Sequence, residues 1–193
     1  MQAIAADCLH MQKLARAFFN RDTIVVAKQL LGKYIIKTTD EIQQVAKIVE
    51  VEAYLGPHDK AAHSARGLTP RTTVMYGEPG HAYVYLIYGI YNCFNIVTEP
   101  RGHAAAVLIR AVEPIQGIQL RTSGPGLLCK ALEITRQHTG HDLQEDNFYI
   151  ASGMNEEKLT IVKRPRIGVD YAGAWAKRLL RFYIKGNKFI SKP

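Results

Sequence analysis

QVAKIVEVEAY, residues 44–54, is the stretch on which the reading of this 193-residue chain turns. Its side chains alternate with a period near two, which marks a β-strand rather than a helix. Val45, Lys47, Val49, Val51 and Ala53 share one face, apolar except for Lys47. Ile48, Glu50, Glu52 and Tyr54 share the other. A strand that buries Val49, Val51 and Ala53 therefore presents two carboxylates and a tyrosine opposite them. The Cα atoms of Glu50 and Glu52 then stand about 7 Å apart. Such a pair is either a solvated strand face or a couple able to do general acid and base work at an anomeric carbon.

Working outward, LGPHDKAAHSARGLTPRT (55–72) is a polar Gly/Pro loop that carries His63 eleven residues after Glu52. His63 is either a hydrogen-bonded structural histidine or a catalytic one. Residues 81–88 (HAYVYLIY) and 91–97 (YNCFNIV) are two aromatic, β-branched runs joined by Gly89–Ile90. That connection predicts a type II′ hairpin with Tyr88 and Tyr91 facing each other beside the tip. The aromatics either pack a core or stack on bases, as they do in single-strand contacts and minor-groove wedges. Ala104–Ile109 is a fully apolar strand expected to end at Arg110, and a buried arginine there needs a carboxylate or a carbonyl cluster.

Around these runs, residues 10–19 read as a short amphipathic helix. A second helix runs from Ile24 to Leu31, capped by Asp22 or Thr23 and ended by Gly32. Gly124–Pro125–Gly126 opens a helix to about Gln137, whose exposed N–H groups form either a plain tight start or a weak phosphate site. Residues 34–36, 158–163 and 181–185 read as strands, and 172–177 as a helical turn. The pattern is mixed α/β (α+β) with antiparallel pairing and no regular βαβ alternation. No linker divides the chain, so one domain spanning 1–193 is expected.

Composition narrows the function. Apolar residues make up 47% and charged residues 22%, the balance of a folded soluble protein. No apolar run reaches the ~18 residues of a membrane span, and Asp7, His10 and Lys13 interrupt any signal-like run at the N-terminus. Cys8, Cys93 and Cys129 are widely spaced and odd in number, which argues against a disulfide scaffold or a zinc site and for a cytoplasmic setting. The seven histidines form no metal pattern, and no P-loop, GxGxxG, HExxH or GxSxG motif is present, so no metal or cofactor is expected. The net charge is +8, yet residues 158–193 hold ten Lys/Arg against one acid, Asp170. The rest of the chain holds 15 basic and 16 acidic residues. A basic surface so concentrated points to a polyanion partner or a solubilising face.

Five blocks carry a resemblance to a known family. They are VEVEAYLGPHDKAAHS (49–64), TPRTTVMYGEPGHAYVYLIYGIYNCFNI (69–96), VLIRAVEP (107–114), GPGLLCKAL (124–132) and PRIGVDYAGAWAKRLLRFYIKGN (165–187). Together and in order they resemble the alkyladenine (3-methyladenine) DNA glycosylase family, bacterial branch. The resemblance implies a curved antiparallel sheet with flanking helices and a protruding β-hairpin. It implies removal of alkylated or deaminated purines from duplex DNA by hydrolysis of the N-glycosidic bond. Glu52 matches the general base that activates water, with His63 and Arg110 beside it and a main-chain carbonyl at Ile167. Tyr54, His63, Tyr85, Asn95 and Leu108 match the base pocket. Tyr88 matches the intercalating side chain, with Ile90 and Tyr91 beside it. Arg166, Lys177, Arg178, Arg181 and Lys185 are candidates for the DNA backbone. His58 and Asn92 depart from the better-known animal members.

Lys60 has no Schiff-base context, so a monofunctional enzyme is expected, on damaged double-stranded DNA and with no obligate protein partner. Two other readings start from the same residues. One is a sugar-cleaving enzyme of another class that uses both Glu50 and Glu52. The other is a nucleic-acid-binding module without catalysis.

Overall fold

A computed structural model describes residues 11–154 and 158–193. Cys8 and His10 lie outside them. The strands are β1 (Gln12–Lys13), β2 (Tyr34–Thr39), β3 (Ile42–Tyr54), β4 (Ala82–Ile87), β5 (Tyr91–Thr98), β6 (Ala105–Gln116), β7 (Phe148–Ser152), β8 (Ile161–Arg164) and β9 (Arg181–Ile184). Three α-helices accompany them among the described residues: α1 (Arg16–Phe19), α2 (Thr23–Leu30) and α3 (Pro125–Ala131). The strands form one open antiparallel sheet in the order β1-β7-β2-β3-β6-β5-β4, so the fold is mixed α+β.

β3 is the spine. One edge pairs with β6 along nearly its whole length. The other edge is divided: residues 42–47 pair with β2, and residues 50–52 pair with β9. Val49, Val51 and Ala53 join Val107, Ile109, Phe94, Leu128 and Phe182 in the main core, but so does Ile48, expected on the glutamate face, whereas Val45 packs with Ile36 and Ala151 on the other side.

Beyond an irregularity at Val45/Ala46, the β3–β6 ladder slips twice in its middle. Ile48 pairs with Val112, Glu50 with Ala111 and Val51 with Ile109. Val49 is thus one extra residue on β3, and Arg110 is one extra residue on β6. The two bulges cancel, and the register resumes unchanged to Tyr54 and Ala106. A bulge re-aims side chains locally, and here it turns Arg110 toward the glutamates of β3. Arg110 therefore does not end a strand. It sits in the middle of a twelve-residue one.

Other expectations shift in the same way. The helix expected over 10–19 shrinks to the single turn α1, because Gln12 and Lys13 pair with β7. α2 begins where expected, with the Asp22 side chain accepting the Val25 N–H at 2.9 Å. α3 stops at Ala131 rather than near Gln137, because Glu133 takes a left-handed φ of 54°. The hairpin turn is not a two-residue II′ turn. Ile87 pairs with Tyr91, and Tyr88 and Gly89 take φ of 53° and 74°. Two successive positive φ values are the sign of a type I′ turn, so Tyr88 lies in the tip itself and does not face Tyr91.

A buried ion pair fixes the loop after β3. Asp59 accepts from the Leu55 and Ala61 N–H groups at 3.1 and 3.0 Å, and both terminal nitrogens of Arg166 bind it. Arg166 also donates to the Ala53 carbonyl at 2.9 Å. Arg166, expected on the DNA backbone, is instead buried. Replacing Asp59 by Ala should cost about 3–5 kcal/mol, because it strands a buried guanidinium. Urea unfolding measures this, and a loss under ~1 kcal/mol would show that Arg166 finds other partners.

Candidate active site

The bulged segment gathers four charges. Glu50 and Glu52 are both 0% exposed and Arg110 is 7% exposed, with Arg181 buried beside them. The solvated-face reading of the glutamates is thereby excluded. Glu52 Oε2 accepts the Tyr54 hydroxyl at 2.8 Å, and Oε1 accepts the Ile167 N–H at 2.8 Å. Arg110 Nη1 stands 3.3 Å from the same Oε1. Glu50 is bound differently, by Arg181 Nη1 at 2.8 Å and by the Ser191 N–H. Arg181 is therefore a buried partner of Glu50 and not, as expected, a contact for DNA backbone.

Electrostatics follow from this packing. Burial, and next the Glu52 carboxylate, hold the Tyr54 hydroxyl well above the usual phenol range, so it stays a donor. Burial alone would lower Arg110, but Glu52 and then Glu50 overcome it and leave its pKa raised.

Tyr54, Arg110 and Ile167, the three partners of Glu52, all line a cleft of about 960 Å³. His63, Tyr85, Asn95 and Leu108 line it as well, and Tyr88 and Tyr91 reach it from the hairpin. The residues expected to form a base pocket are thus brought together around one opening. Tyr88 is 84% exposed, and Ile90 and Tyr91 are exposed beside it. Asn95 donates both amide protons to main chain, at 3.0 Å to Tyr83 and 3.3 Å to Cys93, which leaves its oxygen as the free polar atom. Ile167 meets Glu52 through its N–H.

His63 is built into the cleft wall. Its Nδ1 is 2.8 Å from the Tyr83 hydroxyl, and its ring meets Tyr85 edge to face at 4.5 Å between centroids. Arg71 lies 5.0 Å from the centre of the Tyr85 ring and 3.4 Å from His63 Nε2. Burial, reinforced by Arg71 and Arg66, lowers the His63 pKa to about 4. Arg71 and Tyr83 were missed as site residues. Tyr83 had a signal, since it shares a strand face with Tyr85. Arg71 sits in a loop, where no periodicity points at a cleft. Gly126 has a packing reason: a Cβ there would lie 2.8 Å from the Tyr91 ring.

Of the remaining backbone candidates, Lys177, Arg178 and Lys185 are exposed, and Arg178 stacks on Trp175 at 3.8 Å. Among the described residues, no three His, Cys, Asp or Glu side chains gather where they could share a metal ion. No helix among them is long and apolar enough to cross a membrane.

Aromatic rings line this cleft together with the polar groups of Tyr54 and Arg110, and the family that the sequence matches gives its class, that of the DNA glycosylases. Residues 17–188 match the methylpurine-DNA glycosylase family, and the chain belongs to it. It is similar to bacterial proteins named "Putative 3-methyladenine DNA glycosylase". The one from Legionella pneumophila (strain Corby) is 57% identical over 182 residues, covering 94% of this chain and 100% of the relative. The one from Myxococcus xanthus (strain DK1622) is 47% identical over 184 residues, covering 94% and 95%. A relative from Clostridium acetobutylicum is 48% identical over 200 residues, covering 93% and 97%. Hydrolysis of N-glycosyl bonds, DNA as substrate and a place in DNA repair follow from this membership.

The lowered His63 pKa has a measurable sign. An unfolded histidine titrates near 6.5, so between about pH 6.5 and 4 the unfolded chain binds a proton that the folded one refuses. The contribution of His63 to stability is complete above that window and is lost as pH falls through it. Near pH 5, unfolding of the wild type should take up close to one proton more than unfolding of His63→Gln. The slope of unfolding free energy against pH measures this. Equal slopes would assign the proton to another group.

Proposed function

We propose that this chain is a monofunctional glycosylase that extrudes alkylated or deaminated purines, such as 3-methyladenine and hypoxanthine, from duplex DNA. It hydrolyses the N-glycosidic bond with a water activated by Glu52 and so starts base excision repair. The observation that carries the reading is the setting of Glu52. It is a fully buried carboxylate whose three hydrogen-bonding or ionic partners all line one cleft.

The chemistry runs from these contacts. The tyrosine hydroxyl and the main-chain N–H fix the carboxylate in place, where it can take the proton of a water held between it and the sugar. A cationic purine stacks favourably on electron-rich rings, and its charge makes it a good leaving group. His63, neutral at pH 7, adds no charge against such a base. Extrusion costs a few kcal/mol, and an aromatic side chain filling the gap offsets part of it. Tyr88, exposed at the tip of a hairpin that reaches the cleft, suits that role. No lysine lines the cleft among the described residues, which supports base release without strand cleavage. The exposed Lys177, Arg178 and Lys185 suit contacts with backbone phosphates.

Incubation with duplex DNA bearing methylated purines or hypoxanthine, in EDTA, tests the reading. The protein should release free base and leave alkali-labile sites, with no nicked product before alkali. Glu52→Gln should slow release by about 10²–10⁴-fold while lesion DNA still binds. No release from any lesion would sink the reading, and borohydride trapping of a covalent product would overturn its monofunctional part. Tyr88→Ala should depress lesion processing about tenfold or more and leave stability within ~0.5 kcal/mol, as for other exposed positions. A large stability loss would make Tyr88 a packing residue.

A further inference from the structure

We infer that Glu50, seated by residues 189–192, is a positioning residue that keeps Arg110 divided between two carboxylates and thereby sets how readily Glu52 takes a proton. The inference rests on Glu52 as the base.

Arg110 touches everything near it at long range. Its Nε is 3.4 Å from Glu50, its Nη1 is 3.3 Å from Glu52, and its Nη2 is 3.4 Å from the Ser191 hydroxyl. Nε is buried with no hydrogen-bond partner. A guanidinium normally closes on one carboxylate through two short, parallel bonds. Here neither carboxylate holds it in that way. Opposing pulls keep it between them, and one of the two anions is itself anchored elsewhere.

That anchor is Glu50. One oxygen accepts from Arg181 Nη1 at 2.8 Å, and the other accepts the Ser191 N–H. Arg181 in turn donates to the carbonyls of Pro165 and Lys192. Phe189 and Ile190 pack on the core and hold the segment in place. Glu50 therefore cannot swing toward Arg110, yet its charge still draws the guanidinium away from Glu52. Without that charge, Arg110 closes on Glu52. A tighter ion pair favours the ionised carboxylate and makes it a weaker base.

The test compares single-turnover base release by Glu50→Gln, Glu50→Asp, Glu50→Gln/Arg181→Gln and Glu52→Gln across pH. Glu50→Gln should shift the acid limb of the pH–rate profile to lower pH. It should also lower the plateau rate about tenfold, with the half-saturating DNA concentration unchanged. Glu50→Asp, which keeps the charge, should restore the limb. The double variant removes a cation together with the anion, so it stays charge-balanced and reports the effect even if the single variant fails to fold. A wild-type limb and plateau in the folded single variant would overturn the inference, as would a loss confined to half-saturation. Wild-type rates in the double variant would reduce Glu50 to a counter-ion for Arg181. Normal activity of Glu52→Gln would instead overturn the reading of Glu52 as the base, a separate failure.

Discussion

Four ionised side chains sit inside the sheet where β3, β6 and β9 meet, and the geometry of the site follows from the need to keep them paired. An isolated buried charge costs several kcal/mol even after relaxation. Glu50, Glu52, Arg110 and Arg181 avoid that cost only while two carboxylates face two guanidiniums. The requirement fixes the pairing of Glu50 with Tyr183 and of Glu52 with Arg181 across β3 and β9. It also accounts for the compensating bulges, since a regular ladder would not bring Arg110 to the glutamates. Such a cluster is poor evidence for stability, because well-packed apolar side chains often serve a fold as well or better. Its presence in the middle of a sheet fits the role proposed for Glu52.

The alternation of residues 44–54 was enough to read the strand, the burial of Val49, Val51 and Ala53 and the side-by-side glutamates, but not the bulge at Val49, which puts Ile48 in the same core and Val45 on the other side. It could not show that the glutamate face is buried. That depends on β9 and residues 189–192, more than 120 residues downstream. Arg166 and Arg181 illustrate the same limit. As sequence, they belong to a basic tail suited to DNA. In the fold, each meets a carboxylate more than 100 residues away, so two of the ten cations in residues 158–193 are neutralised inside. Counting charges along a chain locates them without saying which are paired. The bulge at Arg110 and the left-handed Tyr88 were hidden for a related reason: register and turn type are set by the partner strand. The family, in contrast, was legible, because its motifs name positions rather than contacts.

The two ends of the cleft differ in kind. Behind the inner end, Glu52 is fully buried and locked by the hydroxyl, main-chain N–H and guanidinium of residues that line the cleft, and little there can move without stranding a charge. At the outer end, Tyr88 is a bulky residue in a left-handed turn, a conformation that carries strain. A tip held in that shape presents its ring to solvent, where only a ligand can cover it. Gly126 lets α3 approach Tyr91 closely, at the strand pair next to the tip of the same hairpin. The tip is therefore braced on one side.

Between these ends, the aromatic wall is packed on itself. His63 and Tyr85 meet at 4.5 Å, whereas a flat ring stacked between two others needs about 7 Å, twice the van der Waals contact distance. Arg71 lies over the Tyr85 ring. A base stacking against both His63 and Tyr85 must therefore displace an edge-to-face contact and a cation–π contact, each worth about a kcal/mol. That is small beside the cost of disturbing Glu52. On the proposed reading, a poorly stacking base fails to repay the displaced contacts, while the setting of Glu52 stays fixed.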